Sequence, residues 1–185
     1  NPKDPDYIVL GNEGGHGISR DGGATWYFPP NLPLGQFYHV HVDMDVPYNV
    51  YGGMQDNGSW RGPAEVWEEG GIRNQHWSKI GFGDGFDTVP DPEDSMRGYS
   101  MAQGRFLMRW NLRTGEVKVV RPPEVKPNDP AEKLRFNWNA GIAVDPFEPA
   151  TIYYASQYVH QSTDRGETWT VISRDLYTDN PERQK

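Results

Sequence analysis

Two histidines and an aspartate alternate along one short segment of the chain, and this spacing suits metal chemistry. The segment reads His39-Val40-His41-Val42-Asp43. In a β-strand successive side chains point to opposite faces, so His39, His41 and Asp43 are expected on one face. Two imidazoles and a carboxylate are a ligand set for zinc or another transition metal. The alternative is that these histidines bond a buried backbone group or a turn.

A second polar segment has the composition of a sugar-binding site. Gln55, Asp56 and Asn57 are followed by Gly58, Ser59 and the indole of Trp60. A carboxylate and an amide beside an aromatic ring suit a pyranose, whose apolar face stacks on the ring. The alternative is a tight hairpin turn, which the Asn-Gly pair favours, with Trp60 in the core. We include Arg73 as a candidate for an anionic ligand, although recognition of a sugar carboxylate needs several convergent guanidinium groups.

A third segment, Gly83-Asp84-Gly85-Phe86-Asp87, offers two further carboxylates. Asp84 and Asp87 suit a catalytic carboxylate pair or a calcium site, although a calcium loop uses more oxygen ligands than this segment shows. The alternative is a glycine-rich loop with solvated aspartates. The candidate catalytic carboxylates are therefore Asp56, Asp84 and Asp87. A glycosidase needs two of them roughly 5–9.5 Å apart. We expect no cofactor, with calcium as the exception considered.

The composition excludes several classes of protein. The 185 residues carry a net charge of −8 without a basic cluster, which argues against nucleic-acid binding. No apolar run is long enough to span a bilayer, so we predict no membrane insertion. The absence of cysteine excludes disulfides, thiolate zinc sites and cysteine nucleophiles. Aromatic residues make up 13% of the chain, which indicates a packed core rather than disorder.

The repeat S-x-D-x-G-x-T-W occurs twice in the sequence, and it indicates the strands and turns that must position these candidates. The aspartate is expected to accept backbone N–H groups of a turn, and the glycine to supply a positive φ. The threonine begins the outgoing strand, and the tryptophan is expected to bury its ring beneath it. The repeated residues are Ser19, Asp21, Gly23, Thr25 and Trp26, and then Ser162, Asp164, Gly166, Thr168 and Trp169.

This repeat is identified as the Asp-box, or bacterial neuraminidase repeat. The chain resembles Asp-box β-propellers, which include sialidases, propeller glycosidases that act on xyloglucan, and sortilin-type receptor domains. It is most similar to sortilin-like and glycosyl-hydrolase-like bacterial repeat proteins, through Tyr48–Trp60, Phe136–Asn139 and Gln161–Trp169. The resemblance implies an all-β fold. It places neither the Tyr–Glu pair of sialidases nor the two catalytic aspartates of the xyloglucan enzymes on this sequence.

The spacing of the repeats predicts how the sheets are arranged. Ser19 and Ser162 are 143 residues apart, about three blades of roughly 40–50 residues each. We predict a partial blade over 1–34, with strands at 7–11, 16–20 and 25–29, and complete four-stranded antiparallel blades over 35–81, 82–122 and 135–175. A Pro-rich connector at 123–134, with a helical turn near 130–134, and a tail at 176–185 complete the layout. Three complete blades and a partial one cannot close a ring, so we expect the chain to belong to a larger propeller of six to eight blades.

Two main functions fit this pattern. The first is an extracytoplasmic binding or scaffold module that presents loops to a protein or a glycan. The second is a glycoside hydrolase whose acid and base lie in the propeller channel; a third reading is a framework whose site lies elsewhere. The expected partners are the remainder of the propeller, in the same or another chain, and a glycan or protein ligand. The expected location is secreted, periplasmic or at the cell surface.

Overall fold

The computed structural model describes residues 1–12, 15–29, 35–126 and 129–177, without the side chains of 125–126 and 129–132. The end of the predicted partial blade at 30–34 and most of the predicted tail therefore lie outside the described residues. The described chain is all-β, as predicted, with one short 3-10 turn at Asn74–His76. Within these ranges no helix has the length and apolar character needed to cross a membrane.

The strands form sheets whose members follow one another along the chain, and neighbouring strands are antiparallel. Sheet I contains β1 (Ile8–Asn12) and β2 (Gly15–Ser19). Sheet II contains β3 (Phe37–Val42), β4 (Asn49–Met54), β5 (Gly58–Pro63) and β6 (Ser78–Lys79). Sheet III contains β7 (Gly85–Asp91), β8 (Asp94–Ala102), β9 (Phe106–Asn111) and β10 (Glu116–Val119). A hairpin of β11 (Val125–Lys126) and β12 (Asp129–Lys133) precedes sheet IV, which contains β13 (Ile142–Val144), β14 (Ile152–Ala155), β15 (Val159–Ser162) and β16 (Thr170–Val171).

Sheet III is the middle of the molecule, because both of its faces are covered. Tyr99 and Met101 of β8 are two residues apart, so they lie on one face, where they form a buried cluster with Tyr154 of β14. The opposite face carries Trp110, whose ring stacks on that of Tyr51 in sheet II with centroids 6.0 Å apart. Large side chains from two sheets thus fill each interface, as expected for stacked sheets.

The two S-x-D-x-G-x-T-W turns have the same hydrogen bonds. In the first turn Ser19 Oγ accepts the Gly23 N–H at 2.8 Å, and Asp21 accepts the Thr25 N–H at 2.9 Å and its hydroxyl at 2.5 Å. The second turn repeats these contacts at 2.8, 2.8 and 2.5 Å. These bonds satisfy the backbone groups of each turn, and they lower the pKa values of both aspartates, through Thr25 for Asp21 and through Thr168 for Asp164.

The tryptophans of the two turns differ in their surroundings, which corrects one expectation. Trp169 donates its indole N–H to Val120 O at 2.8 Å and packs on the core between sheets III and IV. Trp26 donates to Gly23 O of its own turn and is 37% exposed. The predicted burial of Trp26 is therefore wrong. Its ring lies against Gly17 of its own hairpin, and among the described residues sheet I lacks the second sheet that covers Trp169.

Two predictions about secondary structure are also wrong. The predicted third strand of sheet I, at 25–29, is reduced to a single bridge between Ile18 and Tyr27. The predicted helical turn near 130–134 is instead strand β12, which pairs with β11 and ends on a bond from Leu134 N–H to Glu124 O at 3.0 Å. Antiparallel pairing gives this Pro-containing segment partners for backbone groups that a helical turn would leave unsatisfied.

Candidate ligand-binding site

A bulge in β3 brings two consecutive side chains to the same side of sheet II. The pairing of β3 with β4 shifts register between Phe37 and His39, which leaves Tyr38 as the extra residue. Tyr38 places its ring 4.8 Å from that of Phe86 and donates its hydroxyl to Gln55 Oε1 at 2.7 Å. Bulges commonly re-aim side chains in this way. Tyr38 therefore lies beside His39 at the sheet III side, although a regular strand would separate them.

His39 and His41 meet the same carboxylate. Asp87, in β7 of sheet III, places Oδ1 at 2.7 Å from His39 Nδ1 and 3.1 Å from His41 Nε2. Burial raises the pKa of Asp87, but the hydrogen bonds from His41 and His39 outweigh it and hold that pKa below the usual value. Asp87 is thus an ionised acceptor for both rings.

The ionised carboxylate determines which ring nitrogens face outward. Since Asp87 accepts, each imidazole carries its proton on the nitrogen that contacts Oδ1. His39 Nε2 and His41 Nδ1 are then acceptors in the neutral rings, and neither has a partner among the described residues. Both side chains are partly exposed. The pair can accept hydrogen bonds from ligand hydroxyl groups.

Asp84 holds the turn between β4 and β5 in place. Its buried carboxylate accepts the backbone N–H of Asp56 at 2.8 Å, and its own N–H donates to Gln103 Oε1 at 2.8 Å. Asp56 has a φ of +56°, and its side chain is exposed. The carboxylate of Asp84 is therefore committed to a backbone group, whereas that of Asp56 faces solvent.

Two glycines let the inner edges of sheets II and III approach closely enough to assemble these groups. A Cβ on Gly53 would lie 2.2 Å from the carbonyl carbon of Gly85, and a Cβ on Gly85 would lie 2.3 Å from Gly58 O. Gly58 N–H also donates to Gly83 O at 2.8 Å across the same interface. The separate segments around His39, Gln55 and Asp84 therefore form one surface at the end of the two sheets.

Comparison with solved structures places this arrangement in a known fold. The GH74 xyloglucanase from Xanthomonas campestris matches 95% of this chain and 29% of its own length, with 16% identity and a TM-score of 0.50. A GH74 enzyme from Niastella koreensis matches 90% of this chain and 22% of its own, with 17% identity and a TM-score of 0.46. The extracellular domain of a one-component system from Bacteroides thetaiotaomicron matches 93% and 21%, with 14% identity and a TM-score of 0.44.

The similarity to the xyloglucanase and the three four-stranded antiparallel sheets of this chain indicate the same fold. The chain folds as part of a β-propeller. It spans less than a third of the length of each of these proteins. No protein-family model matches the sequence, and no curated protein does.

In the propeller, sheets II, III and IV are complete blades, and β3, β7 and β13 are their first strands. β7 contacts both β3 and β13, so the three first strands are neighbours at the axis of the blades. His39 and His41 lie on β3 and Asp87 lies on β7. The site therefore lies where two blades meet beside the axis.

Asp43 does not join the two histidines. Its carboxylate accepts the Asn49 N–H at 2.9 Å, the Asn49 amide at 2.7 Å and the Tyr51 hydroxyl at 2.7 Å, which closes the turn between β3 and β4. Burial raises the pKa of Asp43, but these bonds hold it below its usual value. The described residues contain no group of three His, Asp or Glu side chains arranged to hold a metal ion. The metal hypothesis placed His39 and His41 on the correct strand face but gave them the wrong carboxylate.

The other candidate residues belong to local turns. Asn57 donates its amide to Gln55 O at 2.9 Å, and the half-buried Trp60 donates its indole N–H to Asn57 O at 2.7 Å. The stretch from Gln55 to Trp60 is therefore a hairpin turn that exposes Gln55 and Asp56 at its tip. Arg73 donates to Glu69 O within the excursion between β5 and β6.

Sequence reasoning missed Tyr38 and a second repeat. The position of Tyr38 depends on the bulge, which no residue pattern predicted. The second repeat is a glutamine after the second strand of each complete blade, spaced by 48 and 54 residues: Gln55, Gln103 and Gln157. Gln103 and Gln157 each accept the backbone N–H of a residue ahead of their blade's first strand, at 2.8 and 2.7 Å. The turn aspartates Asp43, Asp91 and Asp145 have the same spacing. This spacing indicates that Asp43 stabilises a turn that is repeated in each blade.

Proposed function

We propose that this propeller segment is a binding module for a glycan, at the surface formed by Tyr38, His39, Gln55 and Asp56. The observation that carries the proposal is that some polar groups are bonded within the protein whereas others are exposed to solvent. Asp84 and Asp87 are buried and already bonded, while the Asp56 carboxylate and the outer nitrogens of His39 and His41 face outward. Several exposed acceptors beside an exposed tyrosine ring suit a ligand rich in hydroxyl groups.

The same division argues against the hydrolase alternative. A glycosidase needs one carboxyl group that is protonated at working pH and a second that is free to act on the sugar. The lowered pKa of Asp87 keeps it ionised, and its Oδ1 is shared by two imidazoles. Asp84 is occupied by the backbone of Asp56. Of these three carboxylates in the described part of the chain, only that of Asp56 is available, which supports binding rather than cleavage.

The test is a calorimetric titration of the whole chain with neutral oligosaccharides. Xyloglucan oligosaccharides are the first probe, since the similar Xanthomonas enzyme is a xyloglucanase. We expect saturable binding that weakens about tenfold or more in Asp56→Ala and in His39→Asn. Asparagine can still donate to Asp87 from a position close to that of Nδ1, so His39→Asn removes mainly the outer acceptor.

The matched control is Asp45→Ala, which removes an exposed carboxylate from the turn at the opposite end of β3 and β4. Binding should be unchanged in this variant. Failure of neutral oligosaccharides to bind, or an equal loss in all three variants, would contradict the proposal. Release of reducing ends on incubation with xyloglucan would instead favour the hydrolase.

We further propose that the two repeated turns are Asp-boxes and that the rest of a propeller covers the open faces of this segment. Their shared hydrogen bonds support the first point. The exposed side chains Val40 and Val42 of β3, and Val9 and Tyr27 of the N-terminal region, support the second. The proposed location is outside the cytoplasm. A hydrophobic dye should bind this segment and lose its signal on the closed propeller.

A further inference from the structure

Four large apolar side chains are more exposed than any other in the described part of the chain. They are Met44, Val46, Trp67 and Phe147, and each is at least 87% exposed. The next most exposed side chain of this kind, Trp138, is 61% exposed. Single exposed apolar residues are common on proteins, but a group of them in one place marks an interaction surface.

Three of the four lie at one end of sheet II. The turn between β3 and β4 contains Met44 and Val46, and the excursion between β5 and β6 contains Trp67. Because neighbouring strands are antiparallel, β3 and β5 both end at this side of the sheet. Ala64, at the start of the excursion, donates its N–H to Tyr48 O at 2.9 Å, which joins the excursion to the turn.

A pocket of about 300 Å³ joins the first turns of the three complete blades. These turns follow β3, β7 and β13, and Phe147 lies in the third of them. Among the described residues that line the pocket, none is a lysine or an arginine. The lining includes Met44, Asp45, Pro92, Glu93, Val144 and Pro146. We call the surface formed by this pocket together with Met44, Val46 and Phe147 the turn surface.

Hydrogen bonds from aspartates hold the three turns in fixed conformations. Asp91 accepts the Glu93 N–H at 3.0 Å, and Asp145 accepts the Phe147 N–H at 2.9 Å. Asp43 closes the first turn through the bonds described above. The turns are thus ordered before any partner arrives, and binding does not need to order them.

Exposed carboxylates lie among the apolar side chains and determine which charge a partner must carry. Asp45 and Glu148 are exposed, and neither forms an ion pair within the described residues. Glu93 is also exposed, and its carboxylate lies 3.7 Å from Arg165 Nη2, beyond normal hydrogen-bond length. These carboxylates favour a basic partner, whereas a second copy of this chain, with a net charge of −8, would be repelled.

We propose that the turn surface binds a basic segment of a partner protein that carries both cationic and apolar side chains. A lysine or arginine of the segment enters the pocket beside Asp45 and Glu93. Its apolar neighbours pack on Met44, Val46 and Phe147, since methionine and aromatic side chains are enriched at protein interfaces. The proposal does not rest on the glycan surface, which lies at the opposite end of β3 and β4, so either proposal can fail alone.

The experiment is a calorimetric titration of the whole chain with three short synthetic peptides of equal length. They consist of lysine and leucine, of glutamate and leucine, or of lysine and serine. We expect saturable binding of the lysine–leucine peptide that weakens with added salt, and binding of the other two that is about tenfold weaker or more.

Substitutions on the turn surface should weaken binding of the lysine–leucine peptide. Phe147→Ser and Met44→Ser should each do so about tenfold, because each removes an apolar contact of the interface. Asp45→Ala should do so about two- to fivefold, the range for an exposed charge pair. The three side chains are exposed, so these substitutions leave the packed core unchanged.

The matched controls are Trp138→Ser and Asp56→Ala, which remove an exposed ring and an exposed carboxylate. Both lie at the opposite end of the sheets, since Trp138 precedes β13 and Asp56 lies between β4 and β5. Both variants should bind the lysine–leucine peptide within about twofold of the parent chain. Asp56→Ala should weaken oligosaccharide binding only, and Asp45→Ala should weaken peptide binding only.

Several outcomes overturn the proposal. They are absence of saturable binding by the lysine–leucine peptide, equal binding of the glutamate–leucine peptide, retention of binding in Phe147→Ser or Met44→Ser, and an equal loss in Trp138→Ser. Self-association of the parent chain that Phe147→Ser abolishes, measured by sedimentation, assigns the turn surface to a second copy and also overturns it.

Discussion

At the scale of single residues, the aspartates of this chain act mostly through hydrogen bonds that fix backbone. Asp43 and Asp145 close turns, and Asp84 holds the neighbouring turn through Asp56. Such bonds lower the pKa of Asp145, mainly through the backbone of Phe147. Aspartates so bonded cannot serve as general acids near neutral pH, which is why so few of them remain available for ligand chemistry.

One buried imidazole should make stability depend on pH. His160 is fully buried, and Ser156 Oγ lies 2.7 Å from its Nε2, while Nδ1 has no partner among the described residues. Burial lowers the pKa of His160 from 6.5 to about 4. Between these values the unfolded chain binds the proton that the folded chain rejects. The free energy of unfolding should thus be highest above pH 6.5 and fall by about 3 kcal/mol as the pH drops toward 4.

This dependence is measured by urea unfolding at a series of pH values between 4 and 7. His160→Gln should flatten the curve in that range because it removes the titrating group. Ser156→Ala is the control, since it removes the hydroxyl and keeps the imidazole. A slope that survives His160→Gln would show that another group is responsible.

At the scale of elements, the repeated turn is a unit that folds the same way in two surroundings. Its serine hydroxyl and aspartate carboxylate bond the same backbone groups in both copies. The surroundings of the tryptophan depend on what lies beyond the turn. Trp169 donates to Val120, which follows the last strand of the preceding blade, whereas Trp26 donates only within its own turn. Local hydrogen bonds therefore determine the conformation of the turn, and packing between blades determines whether the tryptophan ring is buried.

Removal of one turn hydroxyl should be costly. Ser162 is 1% exposed, and its Oγ accepts the Gly166 N–H and donates to Asp164 Oδ1 at 2.7 Å. Ser162→Ala leaves a buried backbone donor without its partner, so we expect a loss of about 1–3 kcal/mol in the free energy of unfolding. Tryptophan fluorescence during urea unfolding measures it. The exposed Ser78 supplies the control, because Ser78→Ala should change stability by less than about 0.5 kcal/mol.

At the scale of the whole molecule, the interface between sheets II and III depends on backbone contact at Gly53 and Gly85. A Cβ on Gly53 would overlap the next blade at 2.2 Å, and the obstacle is backbone rather than a flexible side chain. Gly53→Ala should therefore separate the two blades and reduce the free energy of unfolding by about 3 kcal/mol. It should also abolish ligand binding beside Asp87.

Chemical denaturation and calorimetric binding on the same variant test this coupling. Gly141→Ala is the control, because a Cβ there meets only Ala155, at 3.9 Å, and its effect should stay below about 1 kcal/mol. If Gly53→Ala were as stable as the parent and bound ligand equally well, the close approach of the two blades would not be what assembles the site.

The sequence alone was sufficient to predict the all-β class and the four-stranded sheets. The reason is that turns are local: Asp21 and Asp164 contact residues at most four positions away, so a short motif predicts their geometry. The alternation of side-chain direction along a strand could also be predicted, and it correctly placed His39 and His41 on one face. Strand ends were less predictable: the outer strand β6, which has a partner on one side only, is 2 residues long.

Tertiary structure alone decided which side chains meet. His39 and His41 contact Asp87, which is 48 residues from His39, and Arg109 contacts Arg165 and Glu167 across 56 and 58 residues. No local pattern records such pairs, because they depend on how neighbouring sheets stack and on a bulge that shifts Tyr38 by one position. The burial of Trp169 and the exposure of Trp26 arise in the same way, since identical turns face different neighbours.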